Sequence, residues 1–110
     1  MATITAVSPD RAANSFTFDA AASGGDDFVN TGTELLLIKH TNGAGSAVTL
    51  TIVTTREVDG QSVADKEITI GAGETHLLGP FPTGIYNDPD EKVSFSYDDE
   101  TDIEVAVISP

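Results

Sequence analysis

The side chains best suited to acid–base chemistry near neutral pH are the two histidines, His40 and His76. Nucleophilic catalysis would need one of them beside a Ser or Thr, because the chain contains no Cys. Both fall at or within predicted strands, where an isolated His is usually structural. We therefore predict no catalytic residue and no cofactor; an enzyme stays an alternative only if His76 and several acids converge in space.

Two acidic clusters, residues 88–91 and 98–102, supply the hard oxygen ligands that Ca²⁺ and Mg²⁺ prefer. Neither has the spacing of a known calcium-binding loop, and so acidic a chain forms such clusters without selection for a site. We predict solvated loops and no metal site. The candidates for weak cation binding are Asp88, Asp90, Asp98, Asp99 and Asp102.

The glycine-rich stretch at residues 43–46 lacks the Lys-Ser/Thr pair of a phosphate-binding loop, so it is interpreted as a turn. Loops that bind sugars usually offer aromatic platforms, but the chain has two Tyr, five Phe and no Trp, most of them on predicted core faces. Carbohydrate recognition therefore has no direct support in the sequence.

Acidic residues dominate the chain: 18 Asp and Glu against five Lys and Arg give a formal charge of −13. This self-repulsion destabilises a compact state in dilute buffer, and about 1 M salt screens it by reducing the Debye length to about 3 Å. An ordinary acidic protein and a protein from brine both fit; the excess of Asp over Glu and the scarcity of Lys favour a halophilic origin. Nucleic acid is an unexpected partner because clustered Lys and Arg are absent, and no apolar stretch approaches the length of a membrane span.

The elements that must position these residues are strands, because the hydrophobic period from residue 34 onward is two. Residues 48–52, 93–97 and 103–107 each alternate apolar and polar side chains. Turn residues at 71–73 indicate a hairpin between strands at 68–70 and 75–78. No segment has a helical period. The pattern predicts an all-β fold: a single, jelly-roll-like β-sandwich of short antiparallel strands.

The N-terminal segment differs from the rest, so we divide the chain into residues 1–27, a strand or arm with a Gly-rich connector, and residues 28–110, the β-sandwich domain. The possible strands at 3–7 and 16–18 have two interpretations. They are edge strands of the same sandwich, or an arm that adds a strand to a neighbouring chain.

Two segments are candidates for contact with a partner. The strand at 35–38 is apolar on both faces, so it is covered on both sides or its outer face, with Leu35 and Leu37, meets another subunit. The second segment, 79–88, contains two prolines and is predicted to follow an extended course that brings three side chains together. These are Phe81, Ile85 and Tyr86, which either close the end of the core or anchor an interface.

The order of short motifs between residues 30 and 88 resembles a group of β-rich proteins encoded in the head modules of tailed viruses of bacteria and archaea. The motifs are Asn30-Thr31-Gly32, Val58-Asp59-Gly60, Val63-Ala64-Asp65, Ala72-Gly73-Glu74-Thr75, Leu78-Gly79-Pro80-Phe81-Pro82 and Tyr86-Asn87-Asp88. The resemblance implies a virion structural protein on the capsid exterior that decorates or cements the shell by binding the major capsid protein.

A symmetric homo-oligomer, a trimer or pentamer, is expected from this role, and the resemblance brings no catalytic residues. Together with the acidic composition it implies an archaeal host in brine. The alternatives are a sugar- or receptor-binding module of a virion spike, and a head-completion or tail-attachment protein.

Overall fold

The computed structural model describes residues 2–8, 17–43 and 45–109, and in these ranges the chain forms twelve strands and one helix. The elements are β1 (Ala2–Thr3), β2 (Ala6–Val7), β3 (Asp19–Ala20), β4 (Asp26–Val29), β5 (Leu35–His40), β6 (Val48–Ile52), β7 (Glu57–Val58), β8 (Gln61–Ser62), β9 (Lys66–Ile70), β10 (Thr75–Leu78), α1 (Thr83–Tyr86), β11 (Lys92–Tyr97) and β12 (Ile103–Ile108).

The strands form two main sheets, which confirms the predicted all-β class. Sheet A has the order β1-β4-β11-β6-β9, and sheet B has the order β10-β5-β12-β2, with β3 also paired to β12. Strands β7 and β8 form a separate two-stranded ribbon. Buried side chains of both sheets belong to one hydrophobic cluster, which includes Phe28 and Phe95 of sheet A and Leu36 and Val105 of sheet B.

The period-two segments lie where the pattern predicts them. In β6, Val48, Leu50 and Ile52 are buried while the threonines between them are half-buried, because successive side chains of a strand point to opposite faces. The same alternation places Val93 and Phe95 of β11 in the core. In β12 the inward residues are likewise buried, and Ala106 on the opposite face is also buried.

The predicted hairpin at residues 68–78 is wrong. Strand β9 pairs with β6 in sheet A, whereas β10 pairs with β5 in sheet B, so the turn at 71–74 carries the chain from one sheet to the other. Both strands are edges of their sheets. A short turn with Gly73 at φ +74° suits either connection, and turn chemistry alone does not distinguish a hairpin from a crossing.

The N-terminal strands pair within the chain. Strand β1 runs parallel to β4, β2 runs parallel to β12, and β3 is antiparallel to β12. Strand β4 begins at Asp26, so the expected domain start at residue 28 falls inside a strand, and the division of the chain stays a prediction. Phe16, from the second expected N-terminal strand, lies outside the described residues. The connector ends in a packed turn, since a side chain at Gly25 would collide with the carbonyl oxygen of Phe95.

Candidate functional site

An apolar cavity of about 230 Å³ lies between the edge strands of the two sheets and the segment 79–86, and it is the main candidate for a contact site. Lys66 is the one charged residue among the described residues that line it. The apolar side chains of its wall are Ile52, Ile68, Leu78, Phe81, Ile85 and Tyr86.

The three residues predicted to come together, Phe81, Ile85 and Tyr86, share this wall. Phe81 is only 5% exposed, and its ring packs tilted against Phe28 at 5.8 Å and edge-on against Tyr86 at 5.5 Å between centroids. Phe81 therefore closes the end of the hydrophobic core and also forms part of the cavity wall. Ile85 and Tyr86 are half-buried, and a partner role for all three stays a prediction.

The expected extended course of this segment is wrong at residues 83–86, which form the single-turn helix α1. The carbonyl oxygen of Pro82 accepts hydrogen bonds from the backbone N–H groups of Ile85 at 3.1 Å and Tyr86 at 3.2 Å. A proline loses no hydrogen bond just before a helix and fixes φ, so the residue that prevents a strand here allows a helical turn.

Backbone and side-chain hydrogen bonds from Thr55 hold the far end of the segment. Its N–H donates to the carbonyl oxygen of Ile85 at 2.8 Å, and its hydroxyl donates to that of Asn87 at 2.7 Å. At the near end, Gly79 has φ +116°, and a Cβ there would lie 3.0 Å from the carbonyl oxygen of Glu34. The segment is thus fixed at both ends, and only glycine fits its first residue.

Two asparagines complete this support. Asn30 is 2% exposed, and its amide nitrogen donates to the carbonyl oxygen of Phe81 at 2.9 Å and to Oδ1 of Asn87 at 2.7 Å. Asn87 returns a hydrogen bond from its own amide to the carbonyl oxygen of Asn30 at 2.9 Å. In the sequence both residues belong to the short motifs of the family resemblance, and their pairing was missed because a single sequence carries no signal for it.

A buried carboxylate joins the start of β5 to the end of β12. Glu34 is 4% exposed, and its oxygens accept hydrogen bonds from the N–H of Thr31 at 2.6 Å, from the hydroxyl of Thr31 at 2.9 Å and from the hydroxyl of Ser109 at 3.2 Å. Burial raises the pKa of Glu34, but the hydrogen bonds from Thr31 and Ser109 outweigh it and leave the pKa lowered. The structure therefore favours the charged form.

A second buried acid was not predicted. Asp26 is fully buried, and its Oδ2 accepts hydrogen bonds from the hydroxyl of Tyr97 at 2.7 Å and the N–H of Ala22 at 3.1 Å. Its Oδ1 has no hydrogen-bond partner among the described residues. Burial, followed by the hydrogen bond and charge of Asp26, raises the pKa of Tyr97. The pair cross-links β4 and β11 inside sheet A.

Both histidines have structural partners. Nδ1 of His40 accepts a hydrogen bond from the N–H of Asn42 at 3.3 Å, so Nε2 carries the proton and donates to the carbonyl oxygen of Ser46 at 2.8 Å. Nε2 of His76 lies 3.2 Å from Oε1 of Glu74. Among the described residues, neither histidine bonds to a hydroxyl that could act as a nucleophile, and the absence of catalysis stays a prediction.

The five cation candidates are split between the two ends of β11. Asp88 precedes this strand and Asp98 follows it, and the five steps between its six residues, at roughly 3.4 Å each, put about 17 Å between its ends. Several of the carboxylates already accept backbone N–H groups: Asp88 from Asp90 and Lys92, Asp98 from Thr49, and Asp99 from Thr101. The hydrogen bonds from Thr101 lower the pKa of Asp99.

Among the described residues, no group of three or more His, Cys, Asp or Glu side chains is arranged to hold a metal ion. Asp102 instead lines a polar cavity of about 230 Å³ with His40, Asn42, Asp99 and Thr101. The described part of the chain also has no helix long and apolar enough to span a bilayer.

Leu35 and Leu37 lie on the outer face of sheet B. Strand β5 is the central strand between β10 and β12, and its outward residues are half-buried. Leu37 pairs with Leu77 on one side and with Ala106 on the other, which makes an apolar row across three strands. Lys39, two residues along, lies 4.2 Å from the ring centre of Phe18. The outer face is partly covered, and a subunit contact there stays a prediction.

Comparison with known protein families, curated proteins and solved structures found no match to this chain.

Proposed function

We propose that this protein is a non-enzymatic virion structural protein that decorates the exterior of a viral capsid and stabilises the assembled shell by binding the major capsid protein. The observation that carries the proposal is the segment 79–88, a loop fixed at both ends that presents an apolar cavity wall. Loops on a rigid β scaffold are common contact sites, and a loop that is already ordered loses little entropy on binding.

The distribution of charged residues also favours this surface as the contact site. Residues 75–87 contain no Asp, Glu, Lys or Arg, although the whole chain has a formal charge of −13. Apolar contact needs surface that can be desolvated without burying charge, and this segment supplies it. Lys66 at the cavity attracts an acidic group of the partner, whereas the acidic remainder of the chain repels such a group.

The jelly-roll-like topology and the halophilic origin are parts of the same proposal. In each sheet most neighbouring strands are distant in sequence, as in the jelly-roll-like sandwiches common among viral structural proteins. The excess of acidic residues fits a virus of a halophilic, archaeal host, whose particles are exposed to molar salt.

A sugar- or receptor-binding module of a virion spike is the second candidate. It is favoured by the polar cavity at the other candidate site, whose lining includes Asn42, Asp99 and Thr101. Among the described residues this lining has no Phe, Tyr or Trp, the rings on which sugars usually stack, so this candidate ranks below capsid decoration. A head-completion or tail-attachment role differs from decoration only in where the protein sits on the particle.

The proposal is tested by the stability of capsids that have lost this protein. A protein that binds only the assembled shell stabilises it by linkage, so stripped capsids should rupture at lower temperature, and added protein should restore the threshold. Ile85→Ser should restore it poorly while its own melting temperature stays near the native value, since Ile85 is half-buried beside the cavity. Val58→Ser, which changes a 55% exposed residue of β7, is the matched control and should restore the threshold fully.

Tyr86→Ala separates the two roles of the loop. If Tyr86 only closes the core, the substitution should lower the free energy of unfolding by about 3 kcal/mol or more, and the folded variant should bind capsids as the native protein does. If Tyr86 is an interface anchor, the substitution should weaken capsid binding by more than about 1 kcal/mol.

An unchanged rupture threshold in stripped capsids, with the protein found only on a spike or tail, would contradict decoration.

A further inference from the structure

Strand β10 lies at an edge of sheet B, so one side of its backbone has no neighbouring strand among the described residues. The N–H of His40 donates to the carbonyl oxygen of Glu74 at 2.9 Å, so Glu74 directs its carbonyl towards β5. In an antiparallel ladder successive residues face opposite neighbours, so the backbones of His76 and Leu78 also face β5. Thr75 and Leu77 therefore direct their N–H and C=O groups to the open edge, where these groups have no hydrogen-bond partner among the described residues.

This edge lacks the features that normally prevent strands from pairing between molecules. The four residues of β10 include no Lys, Arg, Asp, Glu or Pro, and their register with β5 is continuous, without a bulge. By contrast, the edge strand β9 begins with Lys66 and Glu67, and the edge strands β1, β2 and β3 are only two residues long. Among the described strands, β10 is thus the edge open to a further strand.

We propose that β10 pairs antiparallel with β10 of a second copy of this chain about a two-fold axis at His76. This register places Thr75 opposite Leu77 of the second copy and Leu77 opposite Thr75 of the second copy. Each of these pairs exchanges two backbone hydrogen bonds, so all the open groups of both strands are satisfied. A register centred on Thr75 or Leu77 leaves some of them unpaired.

The side chains and charges favour a second copy as the occupant. Leu77 is 61% exposed, and in this register its side chain lies beside Thr75 of the second copy and diagonally from Leu77 of the second copy, so pairing removes both leucines from water. Residues 75–87 contain no Asp, Glu, Lys or Arg, so two acidic chains meet at a segment that adds little to their repulsion. The nearest acid, Glu74, already accepts the N–H of Gly71 at 2.7 Å and contacts His76.

The interface is isologous and closes as a dimer, which differs from the trimer or pentamer expected from the sequence. It does not depend on the proposed capsid role. The contact doubles sheet B into one continuous sheet.

Cysteine cross-linking tests the register, because the native chain contains no Cys. At the two-fold axis, the residue pair without hydrogen bonds brings its Cα atoms to about 4.5 Å, a separation that a disulfide spans. His76→Cys should therefore form a covalent dimer under mild oxidation at least about ten-fold faster than Leu77→Cys, whose thiols lie opposite Thr75. Equal rates for the two variants would overturn the proposed register.

Sedimentation of the native chain and of two variants at Leu77 tests the hydrogen bonds. Leu77→Pro removes only an outward N–H, which an edge strand tolerates, and should weaken dimerisation by about ten-fold or more. Leu77→Thr keeps this N–H and should weaken it less. A monomer at about 100 μM, or a trimeric or pentameric mass, would overturn the proposal. If Leu77→Pro does not fold, the cysteine comparison still decides.

Discussion

Asn30 and Asn87 bind each other in both directions, although 57 residues separate them in the chain. The amide of Asn30 donates to Oδ1 of Asn87 at 2.7 Å, and the amide of Asn87 donates to the carbonyl oxygen of Asn30 at 2.9 Å. Asn30 follows β4, and Asn87 follows α1. This pair therefore attaches the candidate contact loop directly to sheet A.

Asn87→Ala should lower the free energy of unfolding by roughly 1 to 3 kcal/mol, because it removes the acceptor of one amide hydrogen bond from the buried Asn30 and the donor to the Asn30 carbonyl oxygen. Urea unfolding monitored by circular dichroism measures the loss. The same variant should bind capsids more weakly, since the loop loses one of its fixed ends.

Asn42→Ala is the matched control, because Asn42 is exposed and the hydrogen bond from its side-chain amide to Asp102 is long, at 3.4 Å. Its effect should stay within about 0.5 kcal/mol. An equal, small effect in both variants would mean that the asparagine pair does not support the loop.

Glu34 makes stability depend on pH in the acid range. Its pKa is lowered from the ordinary value of 4.5, so the unfolded chain binds this proton more readily than the folded protein. The stabilisation is complete above about pH 4.5 and is lost as the pH falls through the lower pKa of the folded state. Glu34→Gln should be less stable than the native protein by roughly 1 to 2 kcal/mol at pH 7, and the difference should narrow at low pH.

Urea unfolding at several pH values measures this difference, with Glu57→Gln on the exposed strand β7 as the control. A constant difference between native protein and Glu34→Gln from neutral to acid pH would contradict the assigned role of the Glu34 carboxylate.

Tyr97 has the opposite dependence. Its pKa is raised above the ordinary value of 10.0, so its stabilisation is present below about pH 10 and is lost as the pH rises further. In the variant Tyr86→Phe, Tyr97 is the sole tyrosine, and its phenolate absorbance should appear only as the protein unfolds. Ionisation of this tyrosine with the circular dichroism signal unchanged would show that Asp26 does not hold the neutral phenol.

Salt should stabilise the isolated domain. Raising KCl from about 0.01 M to about 1 M shortens the Debye length from about 30 Å to about 3 Å and screens the repulsion among the acids. The melting temperature should therefore rise by several degrees. The double variant with Asp59→Asn and Asp90→Asn, both exposed, should show a smaller rise. A melting temperature independent of salt would remove the support for a halophilic origin.

The alternation of side chains made the long strands predictable, because one-sided burial imposes a period of two on β6, β11 and β12. The partners of each strand were not predictable from such local patterns. The turn at 71–74 has the chemistry of a hairpin, yet β9 and β10 lie in different sheets. Which sheet receives a strand depends on contacts between distant residues, as between His40 and Glu74.

The candidate site was likewise predictable only where local residue patterns define it. The prolines and aromatics of 79–88 predicted that Phe81, Ile85 and Tyr86 lie together, and they line one cavity. The helical turn and the polar residues that fix the loop were missed. Thr55 and Asn30 act on this loop from 30 residues away or more, and isolated polar residues give no sign of such partners.

The capsid role is tested most directly by an image reconstruction of purified virions at high salt. Decoration predicts density that fits this two-sheet domain on the outer surface of the shell, with residues 79–88 against the major capsid protein. Density for the domain only at a tail or spike, or none on the particle, would contradict the proposed function.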